Sequence, residues 1–571
     1  MVKSSLSKGY CKVVLGARKL TPRLMLILSV VAFVAAALAP LARPTSASAS
    51  GNATYRYTKT FDTTNGSATG TSVTTDHSGN VYLGGIFSGT VIFDGSGGSD
   101  SQNAPGGQDS FITKYNPNGS YAWTRTFDTT IGNSSIISVA ADNSGNIYAA
   151  GVFSDTVIFD GVGGSDSRTS VNQDSFLTKY TANGSYGYTK IFDTTNGGAD
   201  GYGVATDSNG NLYVEGYFFS TVVFDGVGGS DSQTAAGGNN SAFLTKYNAN
   251  GSYGYTKIFD TTNGGAAGTG VATDASGNIY MAGYFTGAVI FDGAGGSDSQ
   301  TAAGGNNSAF LTKYNANGSY AYTKSFDTTN GSATGAGVAA DASGNVYITG
   351  SFGGTIVFDG VGGSDSQTNA GSDTAFLTKY NADGSYAYTK SFDTTSGSAS
   401  GNSVTTDASG NIYLTGNFTN TVIFDGTGGS DSQNDGNSGS GDSFLTKYNA
   451  DGSYAYTKTP DAAGGNAFGN NIAADSFGDI YVAGNFTGTI IFDGVGGTDS
   501  QTDAGGNSNS FLLSYGTGVP SPPVTPPPEA PNTGVGLAAI HYSYSLGLSM
   551  IAGSLLVIGI VRYRKEAIDL K

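Results

Sequence analysis

The sequence predicts an all-β repeat protein, and three observations carry that prediction. Its text recurs seven times at intervals of 65 to 68 residues. Between 51 and 518 apolar and polar residues alternate, without a helical period. The 90 glycines fall largely in Ser-Gly-Asn, Asn-Gly and Asp-Gly steps, which supply the positive φ of tight hairpin turns.

The turn "SGN" or its variants ends at Asn80, Asn146, Asn211, Asn278, Asn345, Asn411 and, in the seventh copy, Asp479. The tripeptide "FDG" starts at Phe93, Phe159, Phe224, Phe291, Phe358, Phe424 and Phe492. Residues 228–253 and 295–320 are identical, so duplication is the simplest origin. Each copy predicts four principal strands. In 401–460 these are "NSVTTD", "NIYLTGNF", "SFLTKYN" and "SYAYTKT", with an excursion between the second and third.

A four-stranded antiparallel sheet of this size cannot bury both faces alone. Seven packed face to face around an axis can, which predicts a seven-bladed β-propeller over 50–518. The chain ends supply complementary half-copies: "TYRYTKT" at 54–60 lacks the "FLTKY" half, and "FLLSY" at 511–515 lacks the "YTK" half. Residues 55–61 are therefore expected as the outer strand of the last blade, beside three strands within 470–515. That closure leaves no open sheet edge. A solenoid would instead require capping units at both ends.

The segments "DASGNIYLTGNF", "TVIFDG" and "DSFLTKYNADGSYAYTK" resemble the bacterial β-propeller repeat family abbreviated SBBP, over roughly 55–515. The resemblance implies an extracellular or envelope location and no single reaction.

Residues 1–49 read as a signal peptide. Seven basic residues surround an apolar run at 24–39, and Ala47 and Ala49 frame the expected cleavage site. The alternative is an uncleaved N-terminal anchor. Cys11, the only cysteine, lies in this segment, so the exported body has no disulfide and no thiol nucleophile. A proline-rich spacer occupies 519–531. The apolar run 546–561, followed by Arg562, Arg564 and Lys565, predicts a C-terminal membrane helix within 530–571. Between them, Ala530, Pro531, Asn532, Thr533 and Gly534 resemble the sorting signal of Gram-positive surface proteins. In that family a sortase cuts Leu-Pro-x-Thr-Gly between Thr and Gly. The resemblance implies a sortase-like transpeptidase as partner and anchoring to wall or membrane, although Ala530 stands where Leu is usual. A proline stalk before an ordinary membrane helix is the alternative.

The chain carries 26 basic and 43 acidic residues, but the basic ones cluster at the ends. Residues 51–561 hold 15 basic and 41 acidic residues, a net charge of −26. Neutralising phosphates needs clustered Lys and Arg, so nucleic acid is excluded as a partner.

The sequence offers no catalytic constellation. His77 reads as a solvated turn residue, because Asn143, Ser208, Ala275, Ala342, Ala408 and Ser476 occupy its position elsewhere. Trp123 replaces a recurring Tyr and reads as packing. Glu215 is the sharp anomaly in a column of Gly84, Ala150, Ala282, Thr349, Thr415 and Ala483. It is expected as a charge on an exposed strand position, with a binding carboxylate near the central channel as the second reading. Calcium is the one cofactor candidate, with Asp341, Asp359, Asp365 and their repeat equivalents as oxygen donors. The competing reading makes them Asx-turn residues.

The expected function is a non-enzymatic, monomeric, surface-anchored binding or adhesion module for an extracellular glycan or protein. A passive shielding protein is the alternative, and a polysaccharide-acting enzyme a third reading that needs paired inward carboxylates. A binder should show one patch that breaks the seven-fold pattern. Glu215 and the irregular seventh copy (459–470) are where the text departs from it.

Overall fold

The computed structural model describes residues 53–516, apart from 195–196, 236–238, 262, 303–305, 370–371, 436–440 and 504–506. The chain divides into two compact units, Met1–Val519 and Pro520–Lys571, and the described residues all belong to the first. Ala47, Ala49, the proline-rich spacer, the motif 530–534 and the expected C-terminal helix lie outside the described residues. Among those described every regular element is a strand, and no helix is long and apolar enough to cross a membrane.

Within each repeat the principal strands pair antiparallel, in chain order in the first six, and short parallel pairings join the sheets of the first three. In the fifth the principal strands are Asp327–Ala340, Val346–Val357, Thr374–Tyr380 and Tyr386–Ser391. The turn between the first two strands explains why its letters recur. Asp341 Oδ1 accepts the N–H groups of Ser343 and Asn345, while Oδ2 accepts the Asn345 amide and the Tyr347 hydroxyl. Gly344 supplies the positive φ of +81°. Phe326, Phe352, Phe358 and Phe376 then pack mostly edge-on, with ring centroids 4.8 to 6.4 Å apart. In the seventh repeat a buried Pro460 replaces the first of these rings.

Two features depart from the expected strands. The first strand of the sixth repeat begins at Asp393, nine residues before the expected 402, because the second strand also runs on to Ile423 and the added lengths pair. Within the excursion, Ser432–Asn434 pairs with 421–423 of that second strand.

The sheet of the seventh repeat draws on both chain ends. Thr54–Thr60 pairs with Asn509–Gly516, which pairs with Ile480–Ile491 and through it with Asp461–Ala474. Lys59 stands opposite Leu512.

First strands of successive repeats are also joined. Thr71 Oγ1 donates to Ile136 O, Val204 N to Ser138 Oγ, Thr273 Oγ1 to Thr206 O and Thr269 Oγ1 to Gly335 O. The series continues with Thr406 Oγ1 to Ala340 O and Asn402 Nδ2 to Gly469 O, and Asn470 Nδ2 donates to Gly70 O of the first repeat. Apolar clusters span neighbours in the same way. One joins Tyr347 and Leu377 to Val404 and Phe424, and another joins Tyr481 and Leu512 to Leu83 and Phe111. Burying these faces against each other supplies the drive that one sheet lacks.

Candidate functional site

One structural device repeats in every first strand. Its pairing with the second strand shifts register once near the middle, leaving a residue out of the ladder. The register shifts fall between Gly70 and Ser72, Ile136 and Ser138, Gly201 and Gly203, and Gly268 and Gly270 in the first four repeats. They fall between Gly335 and Gly337, Gly401 and Ser403, and Gly469 and Asn471 in the last three. A bulge re-aims the side chain it frees. The freed residues are Thr71, Ile137, Tyr202, Thr269, Ala336, Asn402 and Asn470, and all seven line one cavity of about 220 Å³.

These positions vary while the text around them hardly changes. A second column behaves alike: Ile86, Val152, Tyr217, Tyr284, Ser351, Asn417 and Asn485 follow the strand glycine of each second strand and are half-buried. The two columns touch. The Tyr202 and Tyr217 rings stack with centroids 5.6 Å apart. Asn402 Nδ2 donates to Asn417 Oδ1 and Asn470 Nδ2 to Asn485 Oδ1, both at 3.2 Å. The surroundings of the cavity thus divide into an aliphatic sector in repeats 1 and 2, an aromatic one in 3 and 4, and an amide one in 6 and 7.

Glu215 corrects the expectation of an exposed strand charge. It is fully buried, and neither carboxyl oxygen has a hydrogen-bond partner. The side chain lies between the third and fourth repeats, in space left by two glycines. A Cβ on Gly203 would stand 2.4 Å from Oε1, and one on Gly268 only 1.9 Å from Oε2. Gly203 also lines the cavity. Burial pushes the carboxyl well above the usual carboxylate range. Among the described residues lining the cavity there is no Asp, Glu, His or Cys.

The other singled-out residues have structural surroundings. His77 is exposed in its turn. Trp123 lies 6.1 Å from the Tyr82 ring with the Arg125 guanidinium 5.1 Å from its own, a packing position. The calcium candidates do not converge. Asp341 holds its own turn, and Asp359 accepts the N–H groups of Ser364 at 2.8 Å and Asp365 at 2.9 Å. Asp365 in turn accepts Gln367 Nε2 and the Tyr386 hydroxyl. Among the described residues no three His, Cys, Asp or Glu side chains are grouped to hold a metal ion.

No family model matches the chain. A segment is 29% identical over 206 residues to "Uncharacterized WD repeat-containing protein L264" of Acanthamoeba polyphaga mimivirus, covering 31% of this chain and 15% of that protein. The chain therefore spans less than a sixth of that relative's length. Among solved structures, the β-propeller domain of the Trilobed protease from Pyrococcus furiosus aligns over 74% of this chain and 91% of its own, at 8% identity and a TM-score of 0.35. The lignostilbene dioxygenase of Pseudomonas brassicacearum aligns over 68% and 72%, at 12% identity and a TM-score of 0.33. Scores this low carry no argument about fold or activity. The strand pairings and the bonds between repeats define the class: a β-propeller scaffold built from sequence repeats.

Proposed function

We propose that this chain is a closed seven-bladed propeller whose channel mouth binds a ligand without catalysis, held outside the cell as an SBBP-type surface protein. The bonds from the seventh repeat back to the first, and the pairing of Thr54–Thr60 with Asn509–Gly516, support closure. The basic and apolar stretches of 1–49 support export. The motif 530–534 with the apolar run and basic tail supports anchoring by a sortase-like transpeptidase, or by the membrane helix itself. Monomeric action fits a ring in which the seventh repeat bonds back to the first.

The observation carrying the binding reading is where the repeats differ. Structural letters such as "FDG" recur in all seven copies, whereas the bulge residues read Thr, Ile, Tyr, Thr, Ala, Asn and Asn around one cavity. A scaffold alone has no need of such variation. A concave site with a few convergent polar groups does. The passive-shield reading draws on the identity of 228–253 and 295–320, which lie away from the bulge column.

The test is to plug the mouth. Ala336→Tyr installs at the fifth bulge the residue that the third already carries. The full chain, purified in detergent, would be screened against immobilised glycans and surface proteins of bacterial and host cells. Saturable binding by the parent chain that weakens at least tenfold in the variant, at unchanged unfolding temperature, supports the reading. Equal binding by both, or none by a folded parent, removes it.

A further inference from the structure

The tyrosines of repeats 3 and 4 bridge two hollows. Tyr202 lines the shared cavity of about 220 Å³, and its ring stacks on Tyr217. Tyr284, the equivalent of Tyr217 one repeat on, lines a second groove of about 520 Å³ with Asn239, Asn240, Asn263 and Thr286. Ala267 of the groove and Thr269 of the cavity lie two residues apart on one strand, Gly265–Thr273, so the two hollows adjoin. Burial and hydrogen bonding to Asp200 and Tyr202 push the Tyr217 hydroxyl far above its ordinary value, which fixes it as a neutral phenol. The other five repeats have no aromatic ring in either column.

Charge and lining narrow what fits. Neither hollow has a charged side chain among the described residues that line it. An anion would gain no cationic partner there and would be repelled by a body of net charge −26. A cation would lose its hydration in hollows whose described lining has no carboxylate, while Asp200 beside Tyr217 is already held by that hydroxyl and by Gln173 Nε2. What remains is a neutral molecule with apolar faces for the tyrosine rings and many hydroxyls for the amides. Both Nδ2 hydrogens of Asn402 and of Asn470 are spent on protein oxygens, so these residues offer the mouth their Oδ1 acceptors, to which sugar hydroxyls can donate.

Resting on the binding reading, we infer that the mouth and its side groove form a subsite for a neutral oligosaccharide, its sugar faces lying on Tyr202, Tyr217 and Tyr284. Two adjoining hollows joined by aromatic rings suit a chain of several residues over a single sugar. Sugar faces laid on the rings take apolar surface of both out of water, and the asparagine oxygens fix orientation.

Saturation-transfer NMR and titration calorimetry test this with the full chain in detergent and three probes: cellotetraose, chitotetraose and maltotetraose. Tyr217→Ser and Tyr284→Asn place at these positions the residues that repeats 5 and 6 carry, so folding is expected to survive and is checked by thermal unfolding. At least one probe is expected to bind through its ring C–H protons, and each variant to weaken it roughly tenfold. No binding of any probe to the folded chain overturns the inference, as does binding unchanged in both variants. Hyaluronate and poly-lysine serve as charged probes. If either binds, and Ala336→Tyr abolishes that binding while the tetrasaccharides stay silent, the sugar assignment falls and the mouth remains a binding site. If Ala336→Tyr changes nothing for any probe, both fall.

Discussion

Arg56 and Asp479 form an ion pair joining the first strand of the chain to the last repeat, and each is the residue by which its position departs from the other repeats. Asp479 replaces the turn asparagine of the six other copies, and Arg56 stands where Ala or Gly recurs. Two departures that meet are a matched pair. They lie where the ends of the chain share one sheet, at the interface most exposed to fraying.

The Asp479 side chain is only 2% exposed and that of Arg56 26%. Arg56→Ala should therefore leave a buried carboxylate without its cation. The expected loss is about 2–3 kcal/mol, below the full cost of halving a buried pair because the arginine is partly solvated. The double variant Arg56→Ala with Asp479→Asn restores the repeat consensus and should regain most of that loss. Denaturant unfolding of the three proteins checks this. A double variant as weak as the single one would show that the pair does not hold the seam.

Glu215 gives a prediction in pH. Its folded-state pKa is raised, so the folded chain holds a proton that an unfolded glutamate releases above about pH 4.3. Stability from this group is present below that pH and is lost as pH rises toward the folded value, at up to about 1.4 kcal/mol per unit. Glu215→Ala, the residue of repeats 2, 4 and 7, should be more stable than the parent at pH 7. The gap should widen from pH 5 to pH 8. Parallel stability–pH curves would mean that the acid is solvated or paired in solution.

Much of this architecture is legible in the text because its determinants are local and repeated. "DASGN" writes an Asp-capped turn, "FDG" a ring in the core followed by an Asp-capped turn, and the half-copies at 54 and 511 the sharing of one sheet. The site was not legible for a physical reason. A bulge is set by the register between two strands, and nothing in "GYGVAT" announces that Tyr202 leaves the ladder. Aligning the copies would have exposed the column through its variation. Glu215 stands out in its column, but its burial does not, since period-two alternation does not distinguish a face open to water from one packed on the next sheet. The seventh copy's irregular text was a better guide, because Asn470 lies within it.

The aspartates of the "FDG" turns are expected to be indifferent to calcium. Burial would raise Asp359, but the N–H groups of Ser364 and Asp365 outweigh it and hold the carboxyl below its ordinary range. Those bonds occupy both oxygens. Chelator should leave the unfolding temperature unchanged, and Asp359→Ala should cost about 1 kcal/mol for the lost turn bonds. A rise of several degrees on adding millimolar calcium would instead make these turns ligands.

Asp442 is where the sixth repeat has lost a partner. In repeats 1 and 2 the equivalent Asp109 and Asp174 each accept a threonine hydroxyl, from Thr129 and Thr194. Here that threonine is Ala462, and Asp442 Oδ1 is buried without a partner. Burial, then repulsion from Asp435 and Asp461, raises the carboxyl to about 8. Its contribution to stability is thus present below about pH 3.9 and declines as pH climbs to 8, beyond which it changes no further. Ala462→Thr returns the missing donor to a position that accommodates threonine in the other repeats. It should stabilise the chain by about 1 kcal/mol at pH 5 and by more at pH 8.5, because a hydroxyl bonds an ionised carboxylate more strongly than a neutral one. Denaturant midpoints at the two pH values decide the matter. A gain that does not grow with pH would mean that Asp442 does not ionise across this range.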